Sequence, residues 1–131
     1  MKQEFLNHQA TLLYHIFEKD CKKMFPKIND KKFIKDLEKK LSNLNIPIDE
    51  NSSWYKINKE LRLISNVVKH GKGSSYNRLK ELKPDLFKKN FGFLLKSDIE
   101  ISLNDIIIYG NSIKNFWIKF FDIALVSEHR I

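Results

Sequence analysis

Arg62, Asn66 and His70 stand at i, i+4 and i+8, so on a helix they form one polar ridge. Lys69 adjoins it, and Gly71-Lys72-Gly73-Ser74-Ser75 follows directly. No other closely spaced group in the chain has the residue types to move a proton or hold an anion. Cleavage of RNA needs a base for the 2′-hydroxyl proton, a cation beside the phosphate and an acid for the leaving oxygen. An imidazole, which ordinarily titrates at about pH 6.5, suits either proton role. In that chemistry His70 transfers protons, Arg62 and Lys69 stabilise phosphate charge, and Asn66 orients His70 or the phosphate. One histidine per chain is thin for acid–base catalysis, and a symmetric dimer would bring two to one cleft. The same residues also have a structural reading: His70 satisfies the last helical carbonyls, Asn66 bridges two helices, and Arg62 pairs with an acid.

The remaining motifs carry less. Gly71-Lys72-Gly73-Ser74-Ser75 before a helix could cradle a phosphate, but it lacks the upstream glycine of G-x-x-x-x-G-K-[ST] and reads first as a connector. His8 and His15 lie seven apart without acidic or cysteine neighbours suited to a metal. Trp54 and Trp117 read as core anchors. Asp49-Glu50 and the Glu18, Asp20 pair suggest helix termini, and no Ser-His-Asp arrangement is present. No metal or cofactor is expected.

The elements that must position the ridge are helices. Phe5, Leu6, Leu12, Leu13, Ile16, Phe17 and Met24 recur at helical spacing over 3–24, and Pro26 ends the segment. A second helix starts after Asn29 or Asp30, either able to cap it, with Phe33, Ile34, Leu37, Leu41 and Leu44 as its stripe. The third spans 54–70, capped from Asn51-Ser52-Ser53, with Trp54, Ile57, Leu61, Ile64, Val67 and Val68 inward. Gly71 suits the left-handed residue after a helix, and Lys69 and His70 complement its negative end. Ser74 or Ser75 then caps a short helix over 76–83, stopped by Pro84. Residues 88–101 permit an irregular insertion or a hairpin. Ser102-Leu103-Asn104-Asp105 resembles a capping box and opens a final helix to about residue 127. That helix is apolar over too wide an arc for one stripe, so it is either central or shared with another chain. The expected fold is all-α: a single domain over 1–131, four main helices in a bundle plus a short one.

Composition bounds the partners. The net charge is +8, and residues 56–96 alone carry 11 basic and 3 acidic side chains, so the excess surrounds the ridge. Such a field draws polyanions, RNA or DNA first, by releasing condensed counterions. Only three of the basic residues are arginine, which also fits a merely soluble lysine-rich face. Cys21 is the sole cysteine, so no internal disulfide and no cysteine-based zinc site can form. The amino terminus lacks a signal-peptide core, and no apolar run approaches the roughly 20 residues that span a bilayer. The expected compartment is the cytoplasm, with no membrane partner.

Ser65-Asn66-Val67-Val68-Lys69-His70 resembles the R-N-x-x-x-H motif of the HEPN superfamily, with Ser65 at the arginine position and Arg62 one turn upstream. That resemblance implies a helical bundle and a metal-independent RNase, in a bacterial defence or toxin–antitoxin system. The stretch from Asn66 to Ser74, with Lys83-Pro84-Asp85-Leu86-Phe87 and the late Phe116-Trp117, is also similar to a small family of uncharacterised bacterial helical proteins. Those share N-V-V-K-H-G-x-G-x-S, R-P-x-L-F and a late Phe-Trp, which implies a common fold and no activity. Two functions therefore stand as expectations. One is a HEPN-like RNase using His70, Asn66, Arg62 and Lys69. The other is a non-catalytic module that binds nucleic acid through 56–96, or a second copy or partner protein through 102–127.

Overall fold

The computed structural model describes residues 2–87 and 99–129 and is an all-α bundle. Helix α1 is Lys2–Met24, and a 3₁₀ turn at Asp30–Lys32 leads into α2, Phe33–Asn43. A continuous helix follows in three stretches: α3 at Ser53–Tyr55, a π-helical stretch at Lys56–Leu61, and α4 at Arg62–His70. Helix α5 is Ser74–Leu82 and α6 is Leu103–His129. Of the expected insertion, 88–98 lie outside the described residues. At its edges Phe87 and Ile99 form an isolated antiparallel bridge.

Local chemistry sets these boundaries. Asn29 accepts from the Lys31 amide at the 3₁₀ turn, and Ser52 Oγ accepts from the Tyr55 amide at the start of α3. Asn45, at φ 61, takes the left-handed position past the end of α2, where asparagine is tolerated better than most residues. Gly71, at φ 73, follows α4 and donates its amide to the Val67 carbonyl. The Ser102 box closes reciprocally at 3.0 Å in both directions: Asp105 N–H to Ser102 Oγ, and Ser102 N–H to an Asp105 carboxylate oxygen. One expected cap is wrong. Ser74 is already helical, Gly73 precedes it without a side-chain bond, and Ser75 Oγ accepts from Asn66 instead.

Helices α1 and α6 run parallel. Gln3 and Asn7 donate to the Ile101 and Ile99 carbonyls at one end, while Phe17 meets Phe116 and Phe25 meets Phe120 at the other. The α3–α4 helix packs between them. Trp54, Ile57, Leu61, Ile64 and Val67 are all buried there, as the spacing predicts. Trp54 is 2 % exposed, sits against Phe17 and Phe116, and donates its indole N–H to Glu38 at 2.9 Å. Truncating such an anchor costs about 3–5 kcal/mol. Trp117 stacks into the same aromatic cluster, so both tryptophans are packing residues.

Candidate functional site

The π-helical stretch is where the polar side chains enter the core. Arg62 donates its amide to the Ile57 carbonyl, five residues back, and Asn58 and Glu60 lie buried on the widened turn. Such bulges are frequent at functional positions. Asn58 is 2 % exposed. Its side-chain oxygen accepts from Arg62 Nε at 2.8 Å, and its carbonyl accepts the same N–H at 3.2 Å. One edge of the guanidinium is thereby fixed, and its two Nη groups make no hydrogen bond among the described residues.

Arg62 faces a cleft of about 370 Å³ between α1, the Asp30–Lys32 turn with the start of α2, and α4. Helix α4 contributes Arg62, Asn66 and Lys69, spaced i, i+4 and i+7 on one face. Helix α1 contributes Tyr14, Glu18 and Lys22, and the turn region adds Lys31, Lys32 and Lys35. Six cations therefore face two carboxylates, Glu18 and Asp30. Lys22 is largely engaged: it lies 3.5 Å from Asp30, 4.0 Å from Glu18 and over the Phe33 ring. The other cations are in surplus. Tyr14 closes the floor with its hydroxyl 3.4 Å from Glu18. Burial, with the Glu18 charge behind it, raises the Tyr14 phenol well above its ordinary value, while Arg62 pulls the other way. The floor of the cleft is thus a neutral hydroxyl beneath a cationic rim.

The polar ridge expected from the sequence divides here. Arg62, Asn66 and Lys69 come together in the cleft, whereas His70 is exposed at the last position of α4 and does not line it. Asn66 also reaches Ser75 Oγ at 3.4 Å, bridging α4 to α5. Gly71, Lys72 and Gly73 connect those helices, Ser74 and Ser75 open α5, and none of the five lines the cleft. His8 and His15 are exposed on α1, and among the described residues no group of three or more His, Cys, Asp or Glu could hold a metal ion. Cys21 is buried, and burial pushes its thiol up, so it stays protonated and unreactive.

Sequence reasoning missed the cleft's outer wall. Lys22, Lys31, Lys32 and Lys35 lie before residue 56, where 10 basic residues meet 8 acidic ones and the excess is small. It also missed Asn58 and Glu60, because polar side chains are not read as core even where their spacing puts them beside Trp54, Ile57 and Ile64. Comparison of the chain with family models, with curated proteins and with solved structures returns no match. No helix among the described residues is long and apolar enough to cross a membrane.

Proposed function

We propose that the protein binds the phosphate backbone of a nucleic acid in the cleft of Arg62, Asn66 and Lys69. The observation that carries this reading is the surplus of cations there, with Arg62 held by Asn58 so that its Nη edge stays available. A pre-oriented guanidinium suits the geometry of a phosphate, and a half-enclosed cleft screens the attraction less than open solvent does. The remaining lysines supply the sequence-independent attraction that dominates such binding. Asn66 adds an amide that can position a phosphate oxygen.

The exposure of His70 favours a second reading on the same frame. In it the protein is a HEPN-like, metal-independent RNase of a bacterial defence or toxin–antitoxin system. His70 moves the protons, Arg62 and Lys69 stabilise the phosphate, and Asn66 orients the reacting groups. An RNA strand lying along α4 would pass from the cleft to His70, one turn beyond Asn66.

One experiment addresses both. Anisotropy of a labelled single-stranded RNA, titrated with wild type and Arg62→Ala across salt concentrations, reads the cleft. Affinity should fall as salt rises, with a log–log slope of about −0.7 per phosphate contacted. Arg62→Ala should weaken binding about tenfold, a charge-assisted contact of ~1.4 kcal/mol. A flat salt response would sink the binding reading. The same RNA incubated in EDTA with wild type and His70→Ala reads catalysis. Cleavage by wild type alone supports the RNase, and cleavage that survives the substitution removes His70 from it.

A further inference from the structure

Exposed apolar surface on this protein is concentrated in one place. Among the described residues twelve large hydrophobic side chains are exposed, and all but Leu82 belong to α1 or α6. On α1, Phe5, Leu12 and Ile16 fall on one helical face. On α6, Leu103, Ile107, Ile118, Phe121 and Leu125 do the same, each step being three, four or a multiple of such turns. The two stripes flank one shallow groove: Lys23 continues the α1 stripe and Phe121 belongs to the α6 stripe, and both line it. Because α1 and α6 run parallel, this is one continuous two-helix face.

We infer that this face is where a second copy of the chain docks, making a two-fold dimer. The area fits. The eight stripe residues are each 46–61 % exposed. At roughly 200 Å² for a large side chain, half exposure of eight presents on the order of 800 Å². A standard interface removes about 800 Å² from each partner, and unpartnered patches on monomers are mostly smaller, about 300–600 Å². The charge fits as well. The chain carries +8, yet α1 holds four lysines against three acids and α6 two lysines against three acids, so these two helices together carry none of the basic excess that would make like copies repel. Near-neutrality also disfavours an anionic lipid surface as the occupant, which a basic rim would attract.

Gly110 points to a close helix neighbour. It lies inside α6 on the stripe, seven residues after Leu103. A Cβ there would meet nothing within 4 Å, so no contact among the described residues requires glycine. Glycine in a helix interior costs about 1 kcal/mol relative to alanine. A second helix crossing close at that point accounts for it. Tyr14, Glu18 and Lys22 lie on a different side of α1 from Phe5, Leu12 and Ile16, Tyr14 being about half a turn from Phe5. The dimer therefore leaves both clefts open and carries two polyanion sites.

Sedimentation equilibrium of the full chain at micromolar concentration tests this. Wild type should have twice the 15.6 kDa protomer mass. Ile118→Glu and, separately, Gly110→Leu should each shift it to a single protomer with an unchanged far-ultraviolet dichroism spectrum. Both positions are on the outer face, so neither change disturbs the core. A monomeric wild type overturns the inference, as does a mass series rising beyond two. A dimer that survives both substitutions also overturns it, by placing the contact elsewhere.

Discussion

The two flanks of the Lys56–His70 helix treat charge in opposite ways. On the α6 side, Glu60 is buried and fully engaged. Tyr109 Oη donates to it at 2.9 Å, Lys83 lies at 3.7 Å and Lys56 at 3.9 Å. On the α1 side, Arg62 spends one N–H on Asn58 and turns the rest to a cleft that cations dominate. A buried charge whose partners are all inside the protein holds elements together and has nothing left to offer a ligand. Cations in surplus at a half-open cleft do the reverse, since they repel one another until an anion arrives. The difference separates a structural charge from a binding one within a single turn of helix.

The comparison breaks most sharply at Glu60. Glu60→Ala removes the acceptor of a buried tyrosine and releases two partly exposed lysines to water, at a cost of about 2 kcal/mol in urea unfolding. Affinity for RNA per folded molecule should stay within twofold of wild type. A stability loss below about 1 kcal/mol would show that the cluster is not closed in the way its distances imply. A large affinity loss in the folded variant would erase the distinction between the flanks.

A tyrosine on each flank makes the second test. Burial raises both phenols, helped by the Glu60 charge at Tyr109 and the Glu18 charge at Tyr14. The unfolded chain releases these protons at about pH 10, while the folded chain retains them. Above that pH the native state binds more protons than the unfolded state, so stability falls as pH rises, by up to about 1.4 kcal/mol per unit for each phenol. Urea midpoints at pH 8 and pH 11 measure the fall. Tyr109→Phe should reduce the slope by its own share and leave that of Tyr14. An unchanged midpoint would mean that neither ring is as shielded as its burial indicates.

How much of this was legible beforehand depends on periodicity. Helix boundaries, the Gly71 turn and the Ser102 box were readable, because capping chemistry and 3.6-residue spacing are local properties of the chain. Arg62, Asn66 and Lys69 were readable as neighbours for the same reason. Their grouping with His70 was only half right, since a spacing of eight residues drifts about 80° around a helix and carries the imidazole past the cleft edge. Asn58 and Glu60 fall on or beside the apolar face even on a regular wheel, Glu60 three residues after Ile57 and four before Ile64, and it was their polar side chains that kept them out of an inferred core. The lysines of the opposite wall were invisible as a group because tertiary packing alone brings α1 and the start of α2 to α4. The apolar width of α6 was legible, while the matching face of α1 was absorbed into an inferred core.

Asn58 sharpens the comparison on the cleft side. It touches no solvent to speak of and acts through Arg62, so it is a positioning residue. Asn58→Ala should cost about 1 kcal/mol of stability and weaken RNA binding about threefold, less than Arg62→Ala. The salt slope should match wild type, because no cation is lost. If the slope drops with the affinity, Arg62 has left the cleft altogether.

Ser65 gives the smallest and most specific test, with the opposite sign. It sits between Arg62 and Lys69 in sequence but is wholly buried, and its hydroxyl is a buried side-chain oxygen with no hydrogen-bond partner among the described residues. Leaving a hydroxyl unsatisfied costs roughly 1–3 kcal/mol, and serine is a poorer helix former than alanine by a few tenths of that. Ser65→Ala removes the polar atom and leaves almost no void, so it should stabilise the fold by about 1 kcal/mol. RNA affinity should not change, because Arg62 is held by Asn58 and not by Ser65. If Ser65→Ala instead destabilises the protein, the hydroxyl has a partner in solution, such as a trapped water. If stability rises while affinity falls, the interior beneath the cleft takes part in binding, and the boundary between the structural and binding flanks would have to move inward by one turn.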